Sequence, residues 1–170
     1  MASSCSCSRR IRRSSAAPRA LAATCAYVPQ TDGVFLDLTA LENLTEPDRH
    51  LPALPASHAR DWLDLVGMGE FVDVATHELP VSQRRRVSLA LALLRRPRLL
   101  LLDEPFSALD DDSRHRLYPK LQALTRRLGC DVVLVAHQIE DIVRLCDQVA
   151  ILEPGGVTYC GALQPGLRRY

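Results

Sequence analysis

Short apolar runs alternate with longer amphipathic segments along this chain. Four consecutive leucines at 99–102 and the apolar run at 132–135 predict buried strands. Because uninterrupted apolar runs are typical of strands covered on both faces, we expect these two strands to lie in a parallel sheet. Further short strands are predicted over 25–29, 149–152 and 157–160. The pattern favours an α/β fold with a mainly parallel sheet.

Helical periodicity fills the intervals between these strands. Ser57 is predicted to cap a helix over 58–66 that ends at Gly67. Another helix is predicted to follow the three aspartates at 110–112, whose negative charge suits a helix N-terminus, and to end at Gly129. The apolar faces of the later helices are Val87, Ala90, Leu91 and Leu94; Leu117, Leu121, Leu124 and Leu128; and Ile139, Ile142, Val143 and Cys146.

Two carboxylates, Asp103 and Glu104, follow the leucine run directly. Parallel sheets place their ligands at the carboxyl ends of their strands, so these side chains are candidates for a nucleotide site. One carboxylate can bind Mg²⁺ while the other polarises a water for attack on a phosphate. An acidic pair that only caps the following helix is the structural alternative. Gln30 and His137 also follow predicted strands, and each alone is more typical of a structural loop residue.

The first 23 residues differ in composition from the rest. They are rich in Ser, Arg and Ala and contain no acidic residue, and we expect them to be disordered. A transit peptide, a nucleic-acid-binding arm and translation from a wrong frame or start all fit this composition. Elsewhere no apolar run approaches the roughly 18 residues that a membrane span requires, and the cysteine spacing is typical of a reducing compartment.

Several segments resemble the motifs of the ATP-binding cassette (ABC) ATPases, in the order that this family has them. The segment AYVPQ, which ends at Gln30, resembles the Q-loop, and LLLLDEPFSALD, over 99–110, resembles Walker B and the D-loop. The segment VVLVAHQIED, which contains His137, is similar to the H-loop, and residues 79–87 stand at the place of the LSGGQ signature. The resemblance covers about 25–164.

The resemblance implies a P-loop NTPase fold with a helical subdomain over about 38–96, inserted between Gln30 and Leu79, in a domain over 24–170. It implies ATP and Mg²⁺ as cofactors. The implied catalytic residues are Glu104 and His137, the implied Mg²⁺ ligands are Asp103 and Gln30, and the implied nucleotide contacts are Gln30, Ser82, Gln83, Asp103 and Asp110.

The family resemblance also implies partners and a location. It implies membrane-spanning permease subunits, a second nucleotide-binding subunit, no nucleic acid, and a place in the cytoplasm at the inner membrane through the permease. The short helical insert is similar to that of transporters and unlike the long insertions of DNA-linked relatives, which are the less favoured alternative.

Two departures from the family pattern are evident. No GxxxxGK[ST] phosphate loop is present, since the first glycine is Gly33 and the sole lysine, Lys120, has no glycine near it. At the signature, Pro80 and Val81 replace residues that would offer a hydroxyl and a glycine amide.

We therefore expect a chain that is N-terminally incomplete, with 1–23 unrelated to the family. The missing strand is expected between the strands at 132–135 and 149–152, so that the sheet is split and the chain is poorly soluble. We expect no ATP hydrolysis by the chain alone. A catalytically inactive remnant or docking module is the alternative function.

Overall fold

A six-stranded sheet forms the centre of the molecule. The computed structural model describes the backbone of residues 2–7, and residues 24–31, 33–46 and 55–168 in full. The strands are β1 (Ala2–Cys7), β2 (Cys25–Val28), β3 (Leu99–Asp103), β4 (Asp131–Ala136), β5 (Gln148–Glu153) and β6 (Gly156–Ala162). Their spatial order is β2-β3-β4-β1-β5-β6, and β2, β3 and β4 run parallel. The predicted α/β fold is confirmed, and its parallel part is formed by β2, β3 and β4, while the pairings of β1, β5 and β6 are antiparallel.

The register of the parallel strands brings their carboxyl ends to one edge. Tyr27 pairs with Leu101, and Leu101 pairs with Val133. Asp103, the last residue of β3, pairs with Val135 of β4. The loops that follow β2, β3 and β4 therefore start side by side, at the edge where parallel sheets bind ligands.

Most of the helices begin and end at residues that carry local sequence signals. They are α1 (Ala40–Thr45), α2 (Ala56–Leu65), α3 (Val81–Leu94), α4 (Asp111–Leu128), α5 (Ile139–Leu145) and α6 (Leu163–Leu167), with 3₁₀ turns at Gly69–Phe71 and Thr76–Glu78. Thr39 and Glu42 form a capping box at α1, and Gly129 ends α4 in the left-handed conformation. The Ser57 cap is wrong, because α2 starts at Ala56 after Pro55 with no side-chain cap.

The core lies on one face of the sheet. Leu100, Leu102 and Leu134 are fully buried and pack in one cluster with apolar residues of α3 and α4. The opposite face is less covered, since Leu101 is half-buried and the Tyr27 side chain is 57% exposed. The expectation that β3 is buried on both faces is therefore wrong. Its leucines alternate between buried and half-buried, because in the described chain the buried residues of α3 and α4 lie against one face only.

Strand β1 closes the gap that the sequence predicted between β4 and β5. It runs antiparallel to both neighbours and pairs Ser4 with Val135 on one side and Ala150 on the other. The expected split in the sheet is therefore wrong, and so is disorder over 2–7. The pairing supplies partners for the backbone groups of β4 and β5 that a gap would leave unsatisfied. Residues 8–23, also expected to be disordered, lie outside the described residues.

Two further properties concern the cysteines and the apolar character of the helices. Cys146 is disulfide-bonded, while Cys25, Cys130 and Cys160 are free thiols, so the cysteines are not all incidental to the structure. Among the described helices, none combines the length and the apolar character that crossing a membrane requires.

Deletion of residues 1–7 tests whether β1 stabilises the sheet. We expect the shortened chain to unfold at a lower temperature and to aggregate sooner, because β4 and β5 would each expose unpaired backbone groups. A buried unsatisfied group costs about 1–3 kcal/mol. Circular dichroism and light scattering during heating measure both effects.

A chain in which Val and Thr alternate over residues 2–7 is the control for the β1 deletion. It keeps a strand-forming segment and is expected to unfold like the original chain. An unchanged transition after the deletion would show that β1 contributes nothing to the sheet.

Candidate functional site

Glu104 stands at the centre of the sheet edge and contacts residues from the two neighbouring strand ends. The Gln30 amide donates from Nε2 to Glu104 Oε2 at 3.2 Å. His137 Nε2 lies 2.5 Å from Glu104 Oε1. The Glu104 side chain is only 15% exposed, whereas His137 is 53% exposed. The structure thus brings three of the predicted site residues together around one carboxylate.

The backbone of Glu104 is unusual for a residue with a side chain. Its φ is +48°, in the left-handed region that favours glycine. Such a conformation costs on the order of 1–3 kcal/mol and persists only where surrounding contacts hold it. The Glu104 N–H donates to Val135 O at 2.8 Å, and its carbonyl accepts from the Ser107 hydroxyl at 3.1 Å. These bonds fix the turn that places the Glu104 carboxylate between Gln30 and His137.

Asp103 has a different neighbour, Tyr27 on β2. The Tyr27 hydroxyl donates to Asp103 Oδ2 at 3.1 Å, and this hydrogen bond is the main reason why the pKa of Tyr27 is raised. Sequence analysis missed Tyr27. The signal was available in the parallel pairing, because Tyr27 lies opposite Leu101, two residues before Asp103 and on the same face of the sheet.

Arg85, on the first turns of α3, is the other residue that sequence analysis missed. Its guanidinium donates to Gln30 O at 2.8 Å and to Glu104 O at 3.2 Å, and it also contacts the Ser107 hydroxyl. Arg85 therefore joins the loop after β2 to the turn after β3. Arg84, Arg85 and Arg86 are all half-buried, and Arg84 donates to Leu79 O at 2.9 Å.

Asp110 lies apart from the Glu104 cluster, at the start of α4. It is the N-cap of that helix and accepts from the Ser113 backbone at 2.8 Å and from its hydroxyl at 2.7 Å. These hydrogen bonds are the main cause that lowers the pKa of Asp110, and the charge of Arg86 adds to the effect. No hydrogen bond or ion pair joins Asp110 to Glu104 or Gln30 among the described residues.

The start of α3 occupies the place of the signature. Pro80 is the N-cap, without a side-chain cap bond, and the Val81 side chain is 43% exposed. Ser82 and Gln83 lie in the first turn, and Gln83 Oε1 is buried without a hydrogen-bond partner. Pro80 offers neither a hydroxyl nor an N–H group at this helix start, and Val81 adds bulk there. The first turn of α3 therefore fits a phosphate poorly.

Oxygen donors suited to a hard divalent cation are present at the sheet edge. Asp103 offers a carboxylate and Gln30 an amide oxygen, which are ligand types that Mg²⁺ accepts. The described residues contain no group of three His, Cys, Asp or Glu that could hold a metal alone. Mg²⁺ commonly takes one or two carboxylates and completes its shell with water and substrate phosphates, so these donors fit it.

Replacement of Arg85 tests its role in holding the site together. We expect Arg85→Met to lower the free energy of unfolding by about 1–3 kcal/mol, because the carbonyls of Gln30 and Glu104 lose their donor. Urea denaturation followed by fluorescence of Trp62 measures the change. Arg84→Met is the matched control, which removes the guanidinium that donates to Leu79 O and contacts neither Gln30 O nor Glu104 O in the hydrogen bonds described above. Equal losses in the two variants would contradict a bridging role for Arg85.

The acid dependence of stability tests the Asp110 cap. Because the folded pKa of Asp110 is depressed, its carboxylate stabilises the fold above the unfolded pKa of about 3.9, and this contribution is lost as pH falls through the folded pKa. We expect Asp110→Asn to be less stable than the original chain at pH 7 and to match it in strong acid. Asp112→Asn, at an exposed position, is the control. A difference that does not change with pH would contradict this assignment.

Comparison with known proteins places this arrangement in a family. The family described as ABC transporter matches residues 8–107, which is more than half of the chain. The match begins inside the first 23 residues, for which we expected no relation to the family, and includes Gln30, Arg85 and Glu104.

Curated relatives are ATP-binding proteins of import systems. The molybdenum import ATP-binding protein ModC of Albidiferax ferrireducens is 41% identical over 138 residues, which cover 79% of this chain and 37% of that protein. The spermidine/putrescine import ATP-binding protein PotA of Spiroplasma citri is 33% identical, over 78% of this chain and 39% of that protein. The chain thus spans less than half the length of these relatives.

The fold comparison agrees with the sequence comparison. A solved dimeric ATP-binding cassette in a post-hydrolysis state, bound to ADP and Pi, superposes with a TM-score of 0.76 at 25% identity. The superposition covers 88% of this chain and 69% of that one. The family match covers more than half of the chain and the fold agrees with it, so this chain belongs to the ABC transporter family.

Proposed function

We propose that this chain serves an ABC importer as part of its ATP-binding subunit, coupling ATP binding and hydrolysis to transport of a substrate across a membrane. We also propose that these 170 residues alone do not hydrolyse ATP. The observation that carries the proposal is the cluster of Gln30, Glu104 and His137 at the carboxyl ends of β2, β3 and β4. This is the edge at which α/β sheets bind nucleotides.

Each residue of the edge has a role in this proposal. Asp103 and Gln30 would hold Mg²⁺, which supplies charge stabilisation to phosphoryl transfer when it is bound. Glu104 would orient a water through its carboxylate. Each oxygen of Glu104 has one partner in the structure and keeps a second acceptor site, at which a water can bind beside Gln30 and His137. Asp110, the N-cap of α4, would contact the nucleotide from outside the Glu104 cluster.

His137 lies where a ligand bound at this edge of the sheet would contact it. Its imidazole contacts Glu104 and remains 53% exposed, so a ligand bound at the edge can reach it. Arg85 contributes through positioning, since it holds the backbones of Gln30 and Glu104 rather than a ligand.

The chain lacks the groups that would hold the triphosphate. No glycine-rich loop with a following lysine occurs in the 170 residues, and Ser82 and Gln83 lie on a helix start where Pro80 offers no hydroxyl. Phosphoryl transfer depends almost entirely on positioning and charge stabilisation. Loss of a single preorganised donor typically costs about 100-fold to 1,000-fold in rate. We infer that catalysis needs phosphate contacts from outside these residues.

Partners and location follow from the relatives as proposals. Two names describe import of molybdenum and of spermidine and putrescine, and the name of a third relative describes transport of glycine betaine, carnitine and choline. We infer membrane-spanning permease subunits and a second nucleotide-binding subunit as partners, and a position at the cytoplasmic face of the membrane through the permease. The named substrates differ in charge and size, so they favour no single substrate for this chain.

A docking module without catalysis is the second candidate function. The observation that favours it is the start of α3, where Pro80 and Val81 stand in place of phosphate-binding groups. Such a module would bind a membrane subunit and leave ATP turnover to another chain. An ABC ATPase that acts on DNA finds less support, because the relatives named above are import proteins.

Phosphate release from the purified chain tests the proposal. We expect no release above the rate of a Glu104→Gln control, because nothing in the chain holds the triphosphate in line with a water. Binding of a fluorescent ATP analogue with Mg²⁺ is measured in parallel, and Asp103→Asn is expected to weaken any binding seen. Robust release that Glu104→Gln abolishes would show that the chain alone is a complete ATPase.

A further inference from the structure

A basic cleft lies between the helical subdomain and the helix that begins at Asp110. It has a volume of about 220 Å³ and is lined by the end of α2, one turn of α3 and one face of α4. Three cationic side chains, Arg86, Arg116 and Lys120, line it together with Ser113 and Gly67. None of these residues belongs to the Glu104 cluster.

The positive charge of this cleft is not balanced by a negative side chain among the residues that line it. No carboxylate lines it, and among the described residues none of its three cations forms a hydrogen bond or a salt bridge. Arg86 does act on Asp110, whose pKa its charge helps to lower. Asp110 already accepts two hydrogen bonds from Ser113, so it is engaged at the helix cap. Three positive charges therefore face one small cavity without a negative partner in it.

Arg86 gives the more specific evidence for a ligand in the cleft. Its Nε is buried and has no hydrogen-bond partner. A buried donor without an acceptor is unfavourable, and more so when the donor is charged. The guanidinium lies against Gly67, where an added Cβ would come within 3.2 Å of Arg86 Nη1. The fold thus leaves space for this guanidinium beside the end of α2 without giving its Nε an acceptor.

The donor set indicates the chemistry of a ligand. Arginine guanidinium groups form paired hydrogen bonds with tetrahedral oxyanions, and a lysine adds a mobile point charge. The volume of about 220 Å³ leaves room for one or two phosphoryl groups rather than a large polyanion. Phosphate-type anions are therefore the class that matches both the charge and the volume of the cleft.

We propose that this cleft is a second anion site, which binds a small phosphate-bearing molecule through Arg86, Arg116 and Lys120. A bound anion would link α3 to α4, and the end of α2 to both, so it would hold the helical subdomain against the helix that starts at Asp110. The shared chemistry is the phosphoryl group, supplied either by free phosphate or by a phosphorylated small molecule.

Titration calorimetry of the 170-residue chain with inorganic phosphate and with pyrophosphate tests the proposal. We expect saturable binding of at least one anion that weakens as salt is raised, because the charges are partly exposed. In the Arg116→Gln, Lys120→Gln double variant we expect binding to weaken about tenfold or more. The matched control is Arg126→Gln with Arg127→Gln, which removes two charges from the same helix outside the cleft and is expected to bind like the original chain.

The outcomes separate this site from the nucleotide edge and from surface charge. Tighter binding of pyrophosphate than phosphate would point to a phosphorylated molecule, and equal binding to free phosphate. Equal weakening in the double variant and in the control would overturn the proposal, as would no binding at about 10 mM of either anion. If the double variant unfolds, the single variant Lys120→Gln gives the same test. Because no ATP turnover is measured, failure of the proposed transport function would leave this result unchanged.

Discussion

The geometry of the candidate site depends on the turn at Glu104. This residue leaves β3 with a left-handed backbone, which its own side chain disfavours. The turn is held by β4 through Val135 O, by the following loop through Ser107, and by α3 through Arg85. Three separate parts of the fold therefore hold one strained residue. A strained residue held by many contacts is typical of functional sites, where a carboxylate must point in one direction.

The sheet edge could be predicted from sequence, while the residues that support it could not. The apolar runs predicted β3 and β4, and the rule that parallel sheets bind ligands at the carboxyl ends of their strands predicted a site at Asp103 and Glu104. The resemblance to the ABC ATPases added Gln30 and His137. Arg85 and Tyr27 were missed because their importance depends on distances that packing sets. Arg85 lies 55 positions after Gln30 in the chain, and only the seating of α3 against β2 brings the two together.

Strand β1 shows a different limit of sequence analysis. Its residues are small and polar, with weak strand propensity, so nothing local predicts a strand there. Its place is favoured by the partners it finds, since β4 and β5 each present a row of N–H and C=O groups that need pairing. The family's strand order predicted a strand position between β4 and β5, and sequence analysis missed that residues 2–7 fill it. Because the strand conformation of residues 2–7 is favoured by pairing with β4 and β5, it cannot be predicted from those residues alone.

The position of β1 has a consequence for how the chain folds. Strand β1 pairs with β4 and β5, two strands that lie far from it along the chain. Contacts between distant parts of a chain form slowly, because a long loop must close before they are gained. During that interval β2, β3 and the helices can assemble, while the edge of β4 stays open once it is made. The middle of the sheet is therefore completed last. The time for which the edge of β4 stays unpaired sets how long the chain can pair with strands of other chains.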